Sequence, residues 1–423
     1  MSYRITRLGA TEILDSRGNP TVSVQMEIDG SAIVSADVPS GISRGSLEAI
    51  ERRDGDPHRF DGGGVRTVVD TIEGEIRDAV VGPTWNSLAD LDFALCALDG
   101  TPNKARLGAN AIVGVSMSAA RGFAKLDGEP LYRWLPPVGA APRLPVPHLN
   151  VVNGGAHASN RLDFQEFMIA PLGAPTFEEA LRAGAEIYHR LRGVLTSVGF
   201  SAGLGDEGGF APALQAPEDV LDFLAEAIAS SGYETGPQGV SIALDLAASE
   251  LQEGDGRYRV NGSHFEATDL VDYLELLVDR YPIWSIEDAM AEADGKGWQV
   301  LTERLGGRVQ LVGDDNLATN PRLISEAIDG HRGTAALIKP NQVGTVTETL
   351  EAASRCVRGG FGAMVSHRSG ETTDSFISDL AVSIGCGQIK AGAPARGERV
   401  AKYNRLLAIE AQDPKLPFGR RTS

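Results

Sequence analysis

The chain of 423 residues has few cysteines and no long apolar run. Its 3 cysteines, Cys96, Cys356 and Cys386, are far apart and form no C-x-x-C pair, which argues against a disulfide framework or a zinc site. No run of about 18 apolar residues occurs, and the first residues lack the apolar core of a signal peptide. We therefore expect a cytoplasmic protein without a membrane span.

Positive charge is also scarce. Lys and Arg number 39 against 57 Asp and Glu, which gives a net charge of −18 and a pI near 4.9. Such a surface repels nucleic acids and anionic membranes, so we expect neither as a partner. A local group of basic residues would stand out against this background and would indicate a small anionic substrate.

The order of the apolar patterns predicts two domains. Residues 3–38 alternate apolar and polar residues between turn signals, as in an antiparallel meander, and helical patterns follow. From about 145 onward, short apolar runs alternate with amphipathic helices, which favours a closed parallel barrel over an open sheet. We predict an α+β capping domain at 1–135 and a (β/α)8 barrel at 140–423. We expect the ending LPFGRRTS to fray.

Reactive residues end the apolar runs of the predicted barrel. The runs SIALD, WSIED, QLVGDD, ALIKP, AMVSHRS and GQIK each carry one or more polar residues at or just past the strand end. In a parallel barrel these positions share one mouth, where such enzymes have their active sites. The residues predicted to converge are Asp245, Glu287, Asp314, Lys339, His367, Arg368, Ser369 and Lys390.

The three carboxylates Asp245, Glu287 and Asp314 predict a magnesium site, because Mg²⁺ prefers hard oxygen ligands. The alternative, that acidic residues here only cap helices, would explain one of them better than all three. Lys339 and Lys390 follow apolar strands, and we expect the two ammonium groups and a divalent metal to lower the lysine pKa values, giving a base near neutral pH.

The run SHRS and three loops supply further candidates. Arg368 and Ser369 would suit a phosphoryl group, although a surface ion pair is the alternative for Arg368. FQEF places Glu166 in an apolar strand, where we expect its carboxyl group to shift toward the neutral form unless it is paired, and either Glu166 or Glu207, in GDEGG, is a candidate general acid. His157 lies in the loop GGAHASN, which could close over a substrate.

Taken together, these motifs resemble those of the enolases. The similar segments are DSRGNPTV, LGANAIVGVS, NGGAH, QEFMIAP, GDEGGFAP, SIED, GDD, IKPNQVGT, SHRSGET and GQIKAGAPARGER. The resemblance spans nearly the whole chain. It implies a capping domain followed by an eight-stranded barrel in which the first strands and helices have an atypical order. It further implies that the protein is a homodimer or an octamer. It also implies dehydration of 2-phosphoglycerate to phosphoenolpyruvate in glycolysis.

Carried over by position, the resemblance assigns a magnesium ion to Asp245, Glu287 and Asp314. Ser43 would complete a second Mg²⁺ site when its loop closes. Lys339 would be the base that removes the α-proton of the substrate, in line with the Lys base and Mg²⁺ known for this superfamily.

The resemblance also implies roles for the other candidates. Lys390 would bind the substrate carboxylate, and Glu207, supported by Glu166, would assist departure of the hydroxide. The remaining catalytic residues would be His157 and His367, and the remaining substrate contacts would be Gln165, Arg368 and Ser369.

One loop departs from the family pattern. In SGISRGSLEA, Arg44 replaces a small hydroxyl residue and Leu47 replaces a histidine. We expect Arg44 to contact the substrate, which leaves open an alternative substrate, a phosphonoformyl analogue of 2-phosphoglycerate. That product would be carboxyphosphonoenolpyruvate, an intermediate of phosphonate natural-product synthesis. A non-catalytic binding protein is a third hypothesis, which the retained carboxylates and lysines disfavour.

Overall fold

The structure is a computed structural model that describes residues 2–41 and 45–420. Its first part contains a four-stranded antiparallel sheet, as the alternating pattern predicts. The strands are β1 (Tyr3–Leu14), β2 (Pro20–Ile28), β3 (Ala32–Asp37) and β4 (Thr84–Trp85). They lie in the order β3-β2-β1-β4. The β1–β2 register runs from Ile5 opposite Ile28 to Leu14 opposite Pro20.

Helices of this capping part pack on the sheet. They are α1 (Arg66–Thr71), α2 (Arg77–Val80), α3 (Leu88–Asp99), α4 (Ala109–Leu126) and α5 (Leu131–Trp134), with a π-helical stretch at Ile72–Ile76 and a 3-10 turn at Phe60–Gly62. Glycines let α4 approach the strands closely. A Cβ on Gly114 would lie 2.6 Å from Val24 Cγ2, and one on Gly122 would lie 2.1 Å from Ile28 Cδ1. The small residues of α4 thus permit close packing, and most of the helix is buried.

The second part contains a closed eight-stranded barrel. Its strands are β5 (Val146–Asn153), β6 (Glu166–Ala170), β7 (Ser241–Asp245), β10 (Ile283–Glu287), β11 (Gln310–Gly313), β12 (Ala335–Ile338), β13 (Gly362–Ser366) and β14 (Gln388–Lys390), and the hairpin β8 (Tyr258–Val260) and β9 (Ser263–Phe265) forms a separate sheet. The order around the barrel is β10-β11-β12-β13-β14-β5-β6-β7. The predicted fold, a barrel preceded by an α+β capping domain, is confirmed.

Helices connect the barrel strands. They are α6 (Phe177–Ser197), α7 (Pro217–Ser230), α8 (Ala248–Leu251), α9 (Ala267–Arg280), α10 (Gly295–Leu305), α11 (Pro321–Asp329), α12 (Pro340–Val343), α13 (Val346–Gly359), α14 (Phe376–Ile384) and α15 (Gly397–Gln412), with a 3-10 turn at Gly155–His157. Thr176 and Thr345 cap α6 and α13 through their hydroxyl oxygens. In the part of the chain that is described, no helix combines the length and apolar character that crossing a membrane requires.

One barrel strand runs against the others. β6 pairs antiparallel with both β5 and β7. Its connection to β5, residues 154–165, holds only a short 3-10 turn, whereas a parallel pair needs a longer crossover that usually contains a helix. The reversal places Glu166, the first residue of β6, opposite Asp245, the last residue of β7. Glu166 thereby reaches the same mouth as the ends of the parallel strands.

The final described segment docks on the opposite end of the barrel. Leu144, just before β5, donates its N–H to Pro417 O at 2.8 Å. Phe418 packs against a buried cluster that includes Val146 and Trp284. The expectation that the ending frays is therefore wrong for residues 416–420, because backbone hydrogen bonds and apolar contacts hold them on the barrel.

Candidate active site

The carboxyl ends of the barrel strands meet at one cleft. Asp245, Glu287 and Lys390 end β7, β10 and β14, and Asp314 and Lys339 come directly after β11 and β12. The side chains that line the cleft are Glu48, His157, Gln165, Glu166, Glu207, Asp245, Asp314, Lys339, Ser366, His367, Arg368, Ser369 and Lys390. The structure thus brings the predicted candidates together, with Glu287 beside Lys390. Ser43 and Arg44 lie outside the described residues.

Lys390 lies at the centre of a group of buried carboxylates. Its Nζ is 3.0 Å from Asp245 Oδ2, 2.8 Å from Glu287 Oε2 and 3.1 Å from Glu166 Oε1. One ammonium group cannot neutralise three carboxylates. Burial and the charge of Asp245 raise the pKa of Glu287 well above its ordinary value. Burial and the charge of Glu207 do the same to the pKa of Glu166.

Lys339 is paired with a different carboxylate. Its Nζ donates to Asp314 Oδ2, and Gln342 Nε2 donates to Asp314 Oδ1 at 2.9 Å. Burial is the largest single influence on the pKa of Lys339 and would lower it, but the charges of Asp314 and Glu287 together raise that pKa. The pKa of Lys390 is also raised, since Asp245 and other carboxylates overcome its burial. Lys390 does lower the pKa of Lys339, as expected, but the nearer carboxylates reverse the net direction, so the expected lowered pKa is not found in this environment.

Two glutamates and two histidines form the adjoining wall. Glu207 Oε2 is 3.2 Å from His367 Nε2, and Glu207 Oε1 is 3.8 Å from His157 Nδ1, which lies 3.6 Å from Glu166 Oε1. Asn150 Nδ2 donates to Glu207 Oε2 at 3.0 Å.

The pKa values of these two glutamates shift in opposite directions. Burial would raise the pKa of Glu207, but the neighbouring His367 and His157 bring it well below its ordinary value. The predicted shift toward the neutral form is found for Glu166, whereas Glu207 has partners that favour its anion, which is the exception that the prediction made. Burial lowers the pKa of His367 to about 4.

Arg368 is held by an acidic residue that sequence analysis did not single out. Its Nη1 and Nη2 donate to Glu48 Oε2 and Oε1 at 3.0 and 3.1 Å, and Nη1 also donates to Asn341 Oδ1 at 3.2 Å. Glu48 belongs to the capping part and reaches the barrel mouth across the domain boundary. The signal available in the sequence was its position in SLEA, in the same loop as Arg44. Gln165 Nε2 lies 3.5 Å from Asp245 Oδ2.

Two sets of possible metal ligands occur among residues 2–41 and 45–420. Their ligand atoms lie within 4.8 Å of one another, and the sets are His157, Glu166 and Glu207, and Asp288, Asp314 and Asp315. Of the predicted trio, Asp314 belongs to the second set, whereas Asp245 and Glu287 belong to neither and both contact Lys390.

Asp288 and Asp315 are additional acidic residues at the mouth that sequence reasoning missed, although SIED and GDD contain them. Asp288 accepts hydrogen bonds from the N–H groups of Asp314 and Asp315 at 2.8 and 3.1 Å. Burial and the charge of Asp314 raise the pKa of Asp315 to about 7.

The charge balance of the cleft suits a divalent cation. Its lining contains 5 carboxylates against 3 lysine and arginine side chains, and Glu287 adds a further carboxylate behind them. Elevated pKa values at Glu287 and Glu166 express this surplus of negative charge. Hard oxygen ligands in excess of protein cations fit Mg²⁺ better than a transition metal that prefers sulfur or several imidazoles.

Comparison with known proteins gives a consistent picture over nearly the whole chain. The family model "Enolase, N-terminal domain" matches residues 5–135, and "Enolase, C-terminal TIM barrel domain" matches residues 141–415. Proteins named enolase from Rubrobacter xylanophilus and Acidothermus cellulolyticus are each 52% identical over 408 residues, and one from Kineococcus radiotolerans is 51% identical. Each alignment covers 96% of this chain and 94% of the relative.

Proposed function

The chain belongs to the enolase family, and on this premise we propose how its barrel mouth dehydrates 2-phosphoglycerate to phosphoenolpyruvate. The enzyme is a carbon–oxygen lyase that acts on a small phosphorylated hydroxy acid. The phosphonoformyl analogue is not favoured as substrate, because relatives 51–52% identical over 96% of the chain carry the name enolase. The same relatives argue against a non-catalytic protein.

Lys339 is the base in this proposal. A proton α to a carboxylate is very weakly acidic, so its removal needs a positioned amine and stabilisation of the resulting charge. Asp314 now holds the Lys339 ammonium group, which favours its protonated form. Lys339 can accept a proton only when Asp314 does not hold its ammonium group. Binding of a cation by Asp314 would release Lys339 in this way.

Glu207 and Glu166 assist departure of the hydroxide. They lie 3.8 and 3.6 Å from His157 Nδ1, and their pKa values are pushed apart by the environment. In this pair Glu166 is the protonated partner and Glu207 the ionised one, so the proton for the leaving hydroxide would start on Glu166 and reach the hydroxide through Glu207.

The basic side chains orient the substrate. Lys390 would bind the substrate carboxylate, and Arg368 with Ser369 would hold the phosphoryl group. Arg368 already presents both guanidinium nitrogens to the two oxygens of Glu48, the same bidentate geometry that a phosphoryl group uses. His157, His367 and Gln165 would enclose the substrate, because they line the same cleft.

Enolases depend on Mg²⁺ in general, and the acidic residues here fit such a requirement. We assign the first ion to Asp245, Glu287 and Asp314, and a second ion to a site that Ser43 completes. When bound, Mg²⁺ stabilises negative charge that develops on the substrate carboxylate. The charge surplus in the cleft supports this assignment.

Several finer predictions belong to the same proposal. They are a homodimer or octamer, a cytoplasmic location, a domain division at 1–135 and 140–423, and a substrate contact by Arg44. Sedimentation velocity of the purified protein measures the first of these. The ratio of kcat/KM for 2-phosphoglycerate and its phosphonoformyl analogue, compared between wild type and Arg44→Thr, measures the last.

The observation that carries the proposal is the pairing of Lys339 and Lys390 with buried carboxylates at one barrel mouth. The test follows phosphoenolpyruvate formation by its ultraviolet absorbance, with Mg²⁺ or with excess chelator. Chelator should abolish activity, and Asp245→Ala, Glu287→Ala and Asp314→Ala should each lower kcat about 1,000-fold or more. Glu351→Ala, which removes an exposed acid paired with Arg355, is the control. Full turnover in chelator would refute the metal assignment.

A further inference from the structure

Arg399 is a fully buried arginine behind the cleft. It lies in the first turn of α15, and its side chain is 0% exposed. Its Nη1 donates to Arg368 O at 2.7 Å, and its Nη2 donates to Ser369 O at 2.6 Å and to Asp206 O at 3.2 Å. A carboxylate oxygen, Glu398 Oε1, comes only to 3.6 Å from its Nε. The guanidinium is therefore held mainly by carbonyl groups of two loops that carry candidate catalytic residues.

A glycine provides the space for this side chain. Gly392 has a φ of 86°, and a Cβ at this position would lie 2.7 Å from Arg399 Cδ and 2.9 Å from Glu207 O. Any larger residue would displace either the arginine or the backbone of Glu207. The arginine is thus packed against the loop of Glu207 as well as against the loop of His367.

The contact with His367 has a chemical consequence. Arg399 Nη1 lies 2.6 Å from His367 Nδ1. A guanidinium stays charged and can only donate, so the ring nitrogen facing it must accept and carries no proton. A neutral imidazole then has its proton on Nε2. That nitrogen lies 3.2 Å from Glu207 Oε2, close enough for a charge interaction but without the alignment of a hydrogen bond.

We propose that Arg399 is a positioning residue that fixes His367 as the neutral Nε2–H tautomer, with the protonated nitrogen beside the Glu207 carboxylate. The arrangement favours the ionised form of Glu207. It also opposes protonation of His367, because an imidazolium would direct its Nδ1–H against the guanidinium. The tautomer follows from the geometry alone, and its effect on turnover rests on the proposed role of Glu207.

A purely structural role for Arg399 makes different predictions. An arginine that only connects loops would leave the tautomer of His367 unchanged when it is shortened. The charged groups that face the ring are Glu207 from its loop, Arg399 from α15 and Glu371 from the ring's own segment. Burial lowers the pKa of His367 to about 4, Glu207 opposes this shift, and Arg399 adds to it. Loss of the guanidinium should therefore let the ring take up a proton at higher pH.

The experiment measures ¹⁵N chemical shifts and long-range ¹H–¹⁵N couplings of the 7 histidines, labelled selectively in the full-length protein. The His367 signals are assigned from the spectrum of His367→Gln. The variants are Arg399→Met, which removes the donors, and Arg399→Lys, which keeps a cationic donor. Arg405→Met is the matched control on the same helix, because that arginine pairs with Asp379 at 2.8 and 2.6 Å.

Wild type and Arg405→Met should show an unprotonated Nδ1 and a protonated Nε2 in His367 at neutral pH. In Arg399→Met the pKa of His367 should rise by about 1–3, and Arg399→Lys should restore most of the wild-type behaviour. For 2-phosphoglycerate, kcat of Arg399→Met should fall about 100-fold with a smaller change in KM, and the acidic limb of its pH profile should move to higher pH.

A proton on Nδ1 of His367 in wild type would overturn the proposal, and this result needs no variant to fold. The proposal would also be overturned if His367 had the same tautomer and the same pKa in wild type and in Arg399→Met. Neither spectrum depends on activity, so failure of the proposed dehydration would be recognised separately, by absent turnover in wild type.

Discussion

Replacing Lys390 by methionine should destabilise the metal-free enzyme and make its stability depend more strongly on Mg²⁺. The ammonium group lies 2.8–3.1 Å from carboxylate oxygens of Glu166, Asp245 and Glu287, and all four side chains are nearly or fully buried. At about 3 Å and an effective dielectric constant of about 20, each pair is worth about 5 kcal/mol before desolvation is subtracted. Removing one partner of a buried ion pair costs about 3–5 kcal/mol in measured cases, and we expect a loss in that range.

Mg²⁺ should recover more stability in this variant than in wild type. Without the ammonium group, the carboxylates carry more uncompensated charge and bind a divalent cation more tightly. We expect the gain in unfolding free energy on adding Mg²⁺ to exceed the wild-type gain by at least about 1.4 kcal/mol, which corresponds to tenfold tighter binding. Urea unfolding followed by circular dichroism, in chelator and in saturating Mg²⁺, measures both quantities.

Lys402→Met is the matched control for this experiment. Lys402 is a buried lysine whose Nζ donates to Glu371 Oε2 and to Thr372 O, each at 2.6 Å, away from the proposed metal ligands. Its loss should cost a similar free energy, but Mg²⁺ should add only the wild-type increment. Equal Mg²⁺ increments in wild type and Lys390→Met would refute the reasoning, as would an unchanged stability of Lys390→Met in chelator.

Two further predictions concern residues outside the catalytic set. Burial lowers the pKa of His148 to about 3, so between about pH 6.5 and 3 the unfolded chain binds a proton that the folded one does not, and stability falls as pH falls. In His148→Phe the slope of unfolding free energy against pH should be shallower by up to about 1.4 kcal/mol per pH unit, and equal slopes at pH 5–6.5 would contradict this. Arg121 donates to both oxygens of Asp374, at 2.5 and 2.7 Å, across the domain boundary. A double-mutant cycle of Arg121→Met and Asp374→Asn, measured by urea unfolding, should give a coupling energy of about 1–3 kcal/mol. If the two losses of unfolding free energy were additive, the two residues would not be coupled.

Much of the site could be predicted because parallel strands deliver their last residues to one edge. Asp245, Glu287 and Lys390 end their strands, so the length of each apolar run was enough to place them. The direction of β6 could not be predicted in this way, because an apolar run has the same pattern in either direction. Glu166 reaches the mouth only because β6 is antiparallel, a consequence of its short connection to β5.

Other features depend on contacts that no local pattern encodes. Glu48 comes from the capping part and meets Arg368 only after the two parts have packed. Arg399 lies on a helix whose sequence, GERVAKYN, is equally compatible with an exposed arginine. The pKa values of the two lysines are raised, which is opposite to the expected direction. For Lys339 the reason is that its nearest charged neighbour is Asp314 and not a lysine.

Exchange of the substrate α-proton with solvent tests the central claim, that Lys339 removes this proton and Glu207 assists the later loss of hydroxide. The measurement follows deuterium incorporation into 2-phosphoglycerate by NMR in ²H₂O with Mg²⁺. In Lys339→Ala the rate of exchange should fall about 100-fold or more. Glu207→Gln should still exchange the proton but should form no phosphoenolpyruvate. Loss of exchange in both variants, with folding and Mg²⁺ stabilisation intact, would contradict the account, and so would exchange at the wild-type rate in Lys339→Ala.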